Sequence, residues 1–374
     1  MGEKIKEKNM AELELRFIIL RSVIAILIAL SIVLVVIALV SFQLDDVNPV
    51  EAVTSFLFGP ISRGKRFANV IEEMIPLTFV GIGLTIVFRT KRFNLAAEGA
   101  FYMGGMVSAM VALNSPFSIP LTIIIALFAG FIAGGLIGYI PAKLQAIFAA
   151  DELVSSLMLN YVIAYLVNYL LNFVIRDSTK STTQSFAWAS HALLGKIIPK
   201  TRIHYGLLIM IALVIITWFI IYCTKWGYAL RVTGENEKFS KYNGIKTGYI
   251  IIMAQVIGTA IAGLGGAVQI MGKETTFSWT SSPGYGFDGV IITTLANGNP
   301  LFIPIASFFL AYIRVGADVM NLITNIPPEV ISIAQAVIIM LIAAQHFLAK
   351  IKHKVLVEKS LKMEKNIVLE RGGQ

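Results

Sequence analysis

The chain has 374 residues, 56% of them hydrophobic and only 14% charged. A water-soluble domain carries about 25% charged residues to solvate its surface, so lipid must bathe most of this chain. The net charge of +9 does not point to nucleic acid, because Lys and Arg fall between apolar runs, the pattern that orients membrane proteins. The single cysteine, Cys223, excludes an intrachain disulfide and a multi-cysteine metal site.

Taken in order, residues 1–16 form a charged tail, and Ser22–Phe42 then runs without a charge. As a helix that run covers about 30 Å, the thickness of a hydrocarbon core. It is longer than the apolar stretch of a cleaved leader and is followed by no small-residue cleavage site, so it is expected to be a retained first span. Further apolar segments lie at Phe67–Phe88, Leu95–Leu113, Ile119–Ile140, Leu153–Ile175, Tyr205–Cys223, Tyr249–Met271, Val290–Ala296, Leu301–Ile313 and Glu329–Leu348. Val290–Ala296 is too short to span alone. With its neighbour it reads as a broken or re-entrant hairpin near residues 288–313, or as two short tilted spans. Such breaks survive only where protein or a water-filled cavity satisfies the freed backbone.

The expected fold is therefore an all-α, polytopic transmembrane bundle of about ten spans. It divides into an N-terminal tail (1–16), a transmembrane domain (17–349) and a basic C-terminal tail (350–374). An even span count puts both termini on one side. Placing them in the cytoplasm gives inner segments 20 Lys and Arg against nine in outer loops, the expected bias, although residues 176–204 hold five of the nine. Gly130, Gly134 and Gly138 share one helix face and predict close backbone packing, as do Gly81, Gly83 and the Gly263–Gly266 run.

No sequence element for catalysis is recognisable: there is no phosphate-binding G-x4-G-K-[ST], no H-E-x-x-H and no G-x-S-x-G. His191, His204, His346 and His353 are scattered without ligand spacing. Energy for any transport must come from a partner or a gradient. The most informative stretch is the loop Thr224–Thr247. Asn236 is placed to cap a short helix, Glu237 to oppose its dipole, Lys241 to close its last turn and Gly244 to terminate it in a left-handed conformation. Phe239 and Tyr242 fall three apart on one edge. A helix of about seven residues is unstable alone in water, so it is expected to dock into another protein. The competing expectation is an ordinary solvated loop.

Three motifs carry a family resemblance: Arg231 with Gly234-Glu235-Asn236, Phe93-Asn94 with Glu98-Gly99, and Ser282-Pro-Gly-Tyr-Gly-Phe-Asp288-Gly289. Together they resemble permeases of bacterial ABC importers, in the branch handling nucleosides, simple sugars and branched-chain amino acids. The third motif is typical of nucleoside-type members. The resemblance covers roughly residues 65–350; Ala96 and Ala97 depart from a more usual glycine-containing pair. It implies a non-enzymatic subunit of a bacterial plasma membrane that binds no cofactor. ATP and magnesium would be held by partner ATPase subunits. A second permease, homologous or identical, and an extracytoplasmic solute-binding lipoprotein complete the implied assembly. The ATPase-coupling residues would be Arg231, Gly234, Glu235, Asn236, Glu237, Phe239, Tyr242 and Gly244.

For the solute pathway the candidates are Asn94, Glu98, Gly99, Asn160, Tyr161, Asp288, Gly289 and Asn297. Glu98-Gly99 and Asp288-Gly289 each open an apolar segment, one in each half, which suggests a weak internal repeat. Each carboxylate either lines the pathway or holds a broken helix end, or else simply stabilises a helix N-terminus. Asn160, Asn168 and Asn172, with Tyr161, Tyr165 and Tyr169 beside them, form a face suited to a nucleobase or sugar ring, or to plain helix packing. Arg314 and Asp318 are expected to pair within one helix, and Glu72-Glu73 to be interfacial. A secondary transporter driven by an ion gradient is the rival class. It is disfavoured because the acids cluster near helix ends rather than at span centres. A membrane-embedded enzyme is disfavoured by the missing catalytic groups. Nucleosides lead as cargo, with simple sugars next.

Overall fold

A computed structural model describes residues 48–188, 194–199 and 201–324, together with positions 31, 34, 35 and 37. The predicted first span Ser22–Phe42, the last segment Glu329–Leu348, both tails, His191, His346 and His353 lie outside the residues fully described. Among the described residues the chain is helical and has no strand, only two isolated bridges, Arg176 with Ser185 and Lys196 with His204.

The helices are α1 (Pro49–Phe58), α2 (Gly64–Phe88), α3 (Ala97–Asn114), α4 (Ile119–Phe148), α5 (Glu152–Phe173), α6 (Gly206–Cys223), α7 (Lys225–Glu235), α8 (Glu237–Tyr242), α9 (Thr247–Lys273), α10 (Tyr285–Leu295) and α11 (Ile303–Thr324); a 3-10 turn, Pro300–Phe302, leads into the last. Among the described residues, six helical stretches are long and apolar enough to cross a membrane: α2, α4, α5, α6, α9 and Pro300–Thr324. The chain separates into two compact units, Leu57–Gly316 and a second made of Met1–Phe56 with Ala317–Gln374. The sites described below lie within Leu57–Gly316.

At the centre of that unit stands α9, packed against α4, α3 and α2, with α3 also against α4 and α10 against α2. Small residues set these distances. A Cβ on Gly263 would overlap the carbonyl of Gly130 and the backbone of Gly134 on α4, and one on Gly104 of α3 would overlap Gly263 in turn. Dispersion between backbones at this range replaces the hydrophobic drive that lipid cannot supply. The glycine ladder read from the sequence is therefore the seam between α4 and α9. By contrast α5 and α6 expose most of their apolar side chains, among them Val162, Tyr165, Leu208 and Ile215, as lipid-facing helices do.

The hairpin read near residues 288–313 resolves into unequal arms. The first arm, α10, has 11 residues and rises about 16 Å, half of a hydrocarbon core. The second arm continues to Thr324 and is long enough to cross. They meet at Ala296–Asn299, where Asn297 (φ 52°) and Gly298 (φ 65°) are both left-handed. Gly298 tolerates this at no steric cost, and asparagine is among the few side chains that do so readily.

Candidate functional site

Two groups of residues stand out, one where α3 and α10 begin and one around α7 and α8.

The chain between α2 and α3 runs as a non-helical segment held by amides. Asn94 is fully buried; its Nδ2 donates to Gln255 Oε1 of α9 at 2.6 Å and its Oδ1 accepts from Ala96 N at 2.8 Å. Asn160 of α5 grips the other side, donating to Leu95 O at 2.9 Å and accepting from Gly99 N at 3.0 Å. The segment thus ends in the first turn of α3, where Glu98 is 1% exposed. Its carboxylate does not serve its own helix alone. It accepts from the Gly284 amide at 2.7 Å, from the Gly286 amide and from the Ser282 hydroxyl, and so caps the N-terminus of α10 from across the bundle. Gly284, in left-handed conformation at φ 83°, turns the chain into that cap.

Below the cap, Asp288 pairs with Arg314 of α11, and Gly289 lies flat on Val80 and Leu84 of α2. Arg314 also meets Glu73 at 3.0 Å and lies 4.7 Å from the Tyr285 ring centre, while Tyr285 donates to Glu73 at 2.8 Å. Glu72, nearly buried, accepts from Gln269 at 2.9 Å and pairs with Lys273 at 3.5 Å. One expectation is corrected here: Arg314 engages Glu73 and Asp288, carboxylates distant in sequence. Glu72-Glu73 lies within the protein, in an ion-pair network with Lys273 and Arg314. The acids do sit at helix starts, but the starts of α3 and α10 are themselves inside the bundle, so these charges are deep and paired. Membrane-embedded charges persist in such arrangements because each is matched by an opposite charge or a backbone donor.

Tyr161, beside Asn160, is 64% exposed, and Tyr165 and Tyr169 are exposed along the same helix. Asn168 and Asn172 donate back to their own helix at Ala164 O and Asn168 O. Asn297 lies exposed at the far end of α10.

Around α8 the local capping geometry is complete. Asn236 Oδ1 accepts from Phe239 N at 3.0 Å, Glu237 pairs with Lys241 at 3.2 Å and Gly244 has φ 78°. Phe239 is 54% and Tyr242 91% exposed. The run Arg231–Glu235 is helical too, as the end of α7, which Thr224 caps through Gly227 N at 3.1 Å. Glu235 is exposed at its last turn.

Among the contacts that hold α7 and α8 to the rest, two run through Arg89 and Arg92, and a third through Arg231. Arg92 pairs with Glu237 at 3.0 Å. A Cβ on Gly234 would overlap the Arg89 carbonyl oxygen. Arg231 donates to Ile221 O and lies 5.3 Å from the Tyr222 ring centre, with Arg89 at 5.7 Å on the same ring. Arg89 also donates to the Tyr222 hydroxyl and to Gly298 O, both at 2.7 Å. Arg89 therefore links the two regions, its carbonyl meeting Gly234 of α7 and its guanidinium reaching Tyr222 and the α10–α11 turn. In sequence Arg89 and Arg92 read only as charges of an inner loop, and nothing local pairs them with Gly298 or Glu237.

The family model for the permease component of branched-chain amino acid transport systems matches residues 66–344. A glucose ABC transporter permease protein of Haloferax volcanii is 27% identical over 312 residues, covering 81% of this chain and 82% of that one. A guanosine ABC transporter permease protein of Bacillus subtilis is 31% identical over 157 residues (41% and 44%), and a nucleoside ABC transporter permease protein of Lactococcus lactis is 30% identical over 172 residues (45% and 46%). With its several apolar helices and a match over most of its length, the chain is a multi-pass membrane protein that belongs to the branched-chain amino acid transport system permease family.

Proposed function

We propose that this chain is the membrane-spanning subunit of an ATP-driven importer carrying nucleosides across a bacterial plasma membrane. It has about ten spans with both termini cytoplasmic. It works beside a second permease, takes cargo from an extracytoplasmic binding lipoprotein, and relies on cytoplasmic ATPase subunits that hold the ATP and magnesium. The observation that carries this reading is α8, a capped six-residue helix whose two aromatic rings lie in the open.

In this mechanism the ATPase seats Phe239 and Tyr242 and displaces α8 when it closes on nucleotide. Glu237 pulls Arg92, Gly234 pushes the Arg89 carbonyl, and the Arg89 guanidinium passes the displacement to Gly298, the turn on which α10 pivots. Substituting Gly234 by Ala drives a methyl into the Arg89 carbonyl, an overpacking worth about 1–3 kcal/mol. In membranes containing the whole transporter, Gly234→Ala and Glu235→Gln are expected to lower labelled guanosine uptake roughly tenfold, about 1.4 kcal/mol, while ATP hydrolysis continues. Unchanged uptake in both variants would remove the coupling role.

A simple sugar is the second cargo reading, favoured by the alignment to the haloarchaeal glucose permease over most of both chains. Competition decides: glucose in excess abolishes labelled guanosine uptake only if the two share the path.

A further inference from the structure

The loop between α9 and α10 carries an unusual load of hydroxyls: Thr275, Thr276, Ser278, Thr280, Ser281 and Ser282 within eight residues. Its first part is pinned to the segment before α6: Phe277 and Ser185, both buried, exchange hydrogen bonds at 2.9 Å, and the Trp188 amide donates to Thr275 O at 3.2 Å. Its second part descends into the bundle. Tyr102 of α3 donates to Trp279 O at 2.8 Å, and the indole stacks 5.7 Å from Phe101. The loop then ends at the Glu98 cap.

The depth of that cap follows from helix rise. The α10–α11 turn is bonded to Arg89, one residue past the end of α2. From the turn α10 climbs about 16 Å to Tyr285. Tyr285 bonds Glu73, about 24 Å up α2 from Arg89 at the same rise per residue. The two ladders place the cap about 16 to 24 Å from that turn, still inside a hydrocarbon core about 30 Å thick. Ser278, Thr280, Ser281 and Ser282 are nevertheless exposed, and Phe287, a turn into α10, is 46% exposed beside them. Irregular backbone and hydroxyls at this depth cannot face lipid, where each unsatisfied polar group costs several kcal/mol. They must face water or another protein surface.

We propose that Ser278–Ser282 and Phe287 form one wall of the water-filled solute path, where hydroxyls meet the hydroxyls of a small ring solute and the exposed phenyl ring meets its flat face. This rests on the transport reading above and adds to it the residues that contact cargo.

Cysteine labelling tests it, because a methanethiosulfonate reacts with the thiolate and so only where water ionises the thiol. In a Cys223→Ser background, membranes containing the whole transporter are exposed on both faces to a membrane-impermeant, positively charged methanethiosulfonate. Thr280→Cys and Ser281→Cys are expected to label, as does the surface control Thr182→Cys, while Ile124→Cys on the exposed apolar face of α4 does not. Guanosine at ten times its half-saturating concentration slows labelling of Ser281→Cys about tenfold, and the modified protein loses uptake. If positions 280 and 281 stay unlabelled while position 182 labels, the wall is covered by protein and the proposal fails. It fails equally if labelled Ser281→Cys transports at the unmodified rate. Should wild type take up neither guanosine nor glucose, the cargo reading falls by itself, and the contrast of positions 280 and 281 with 124 still decides the wall.

Discussion

His204 is a buried imidazole with little room for a charge. Its Nδ1 accepts the Gly206 amide at 3.1 Å, and Gly272 of α9 closes over the ring so tightly that a Cβ there would strike it. Burial first, and the neighbouring Lys273 second, push the ring from 6.5 down to about 4. The sign follows from linkage. Between these values the unfolded chain binds a proton that the folded chain refuses, so stability is full above about pH 6.5 and declines as pH falls toward 4. Melting of the detergent-solubilised protein is expected to drop across that window, and His204→Gln to flatten the drop. Parallel profiles for the two proteins would contradict this. The sequence shows His204 only as one of four scattered histidines, because its environment is built by Gly206, Gly272 and Lys273, and two of those lie about seventy residues away.

At the scale of elements, α10 depends on a side chain from another helix. Glu98→Ala leaves the amides of Gly284 and Gly286 without their acceptor, at about 1–3 kcal/mol each. Glu98→Gln keeps one acceptor oxygen and loses the charge at the helix end, and is expected to melt between wild type and Glu98→Ala. Equal melting of all three would show that α10 does not need the cap. The contrast between α8 and α10 shows what sequence can reveal about an element. The signals of α8, from Asn236 to Gly244, lie within nine residues and act on their own backbone, so they are legible locally. The acceptor for α10 lies some 190 residues upstream, and in sequence Glu98 is indistinguishable from an acid serving α3. Arg314 misled for the same reason: Asp318 stands at helical spacing, whereas Glu73 and Asp288 come close only once α2, α10 and α11 are packed.

For the whole molecule, an all-helical bundle among the described residues was legible from apolar run lengths; the boundaries of α2, α5, α6 and α9 fall within three residues of the runs, while α4 continues eight residues past its run, to Phe148. The depth of α3 and α10 was not, since length does not reveal that a helix starts inside a bundle. Orientation belongs to this scale. If the positive-inside assignment holds, Lys238→Cys, exposed on α8, labels only from the cytoplasmic face, and Thr182→Cys only from the opposite one. Labelling of both from one side would overturn the topology and with it any ATPase contact at α8.

Where Gly234 meets the Arg89 carbonyl, main chain rests directly on main chain. Side chains yield by changing rotamer and so blunt a push; two backbones at contact distance have no such slack. A shift of α7 by a fraction of an ångström therefore reaches Arg89 undiminished, as between meshed gear teeth, and no substitution at either residue can soften the fit without first prising the two strands of chain apart.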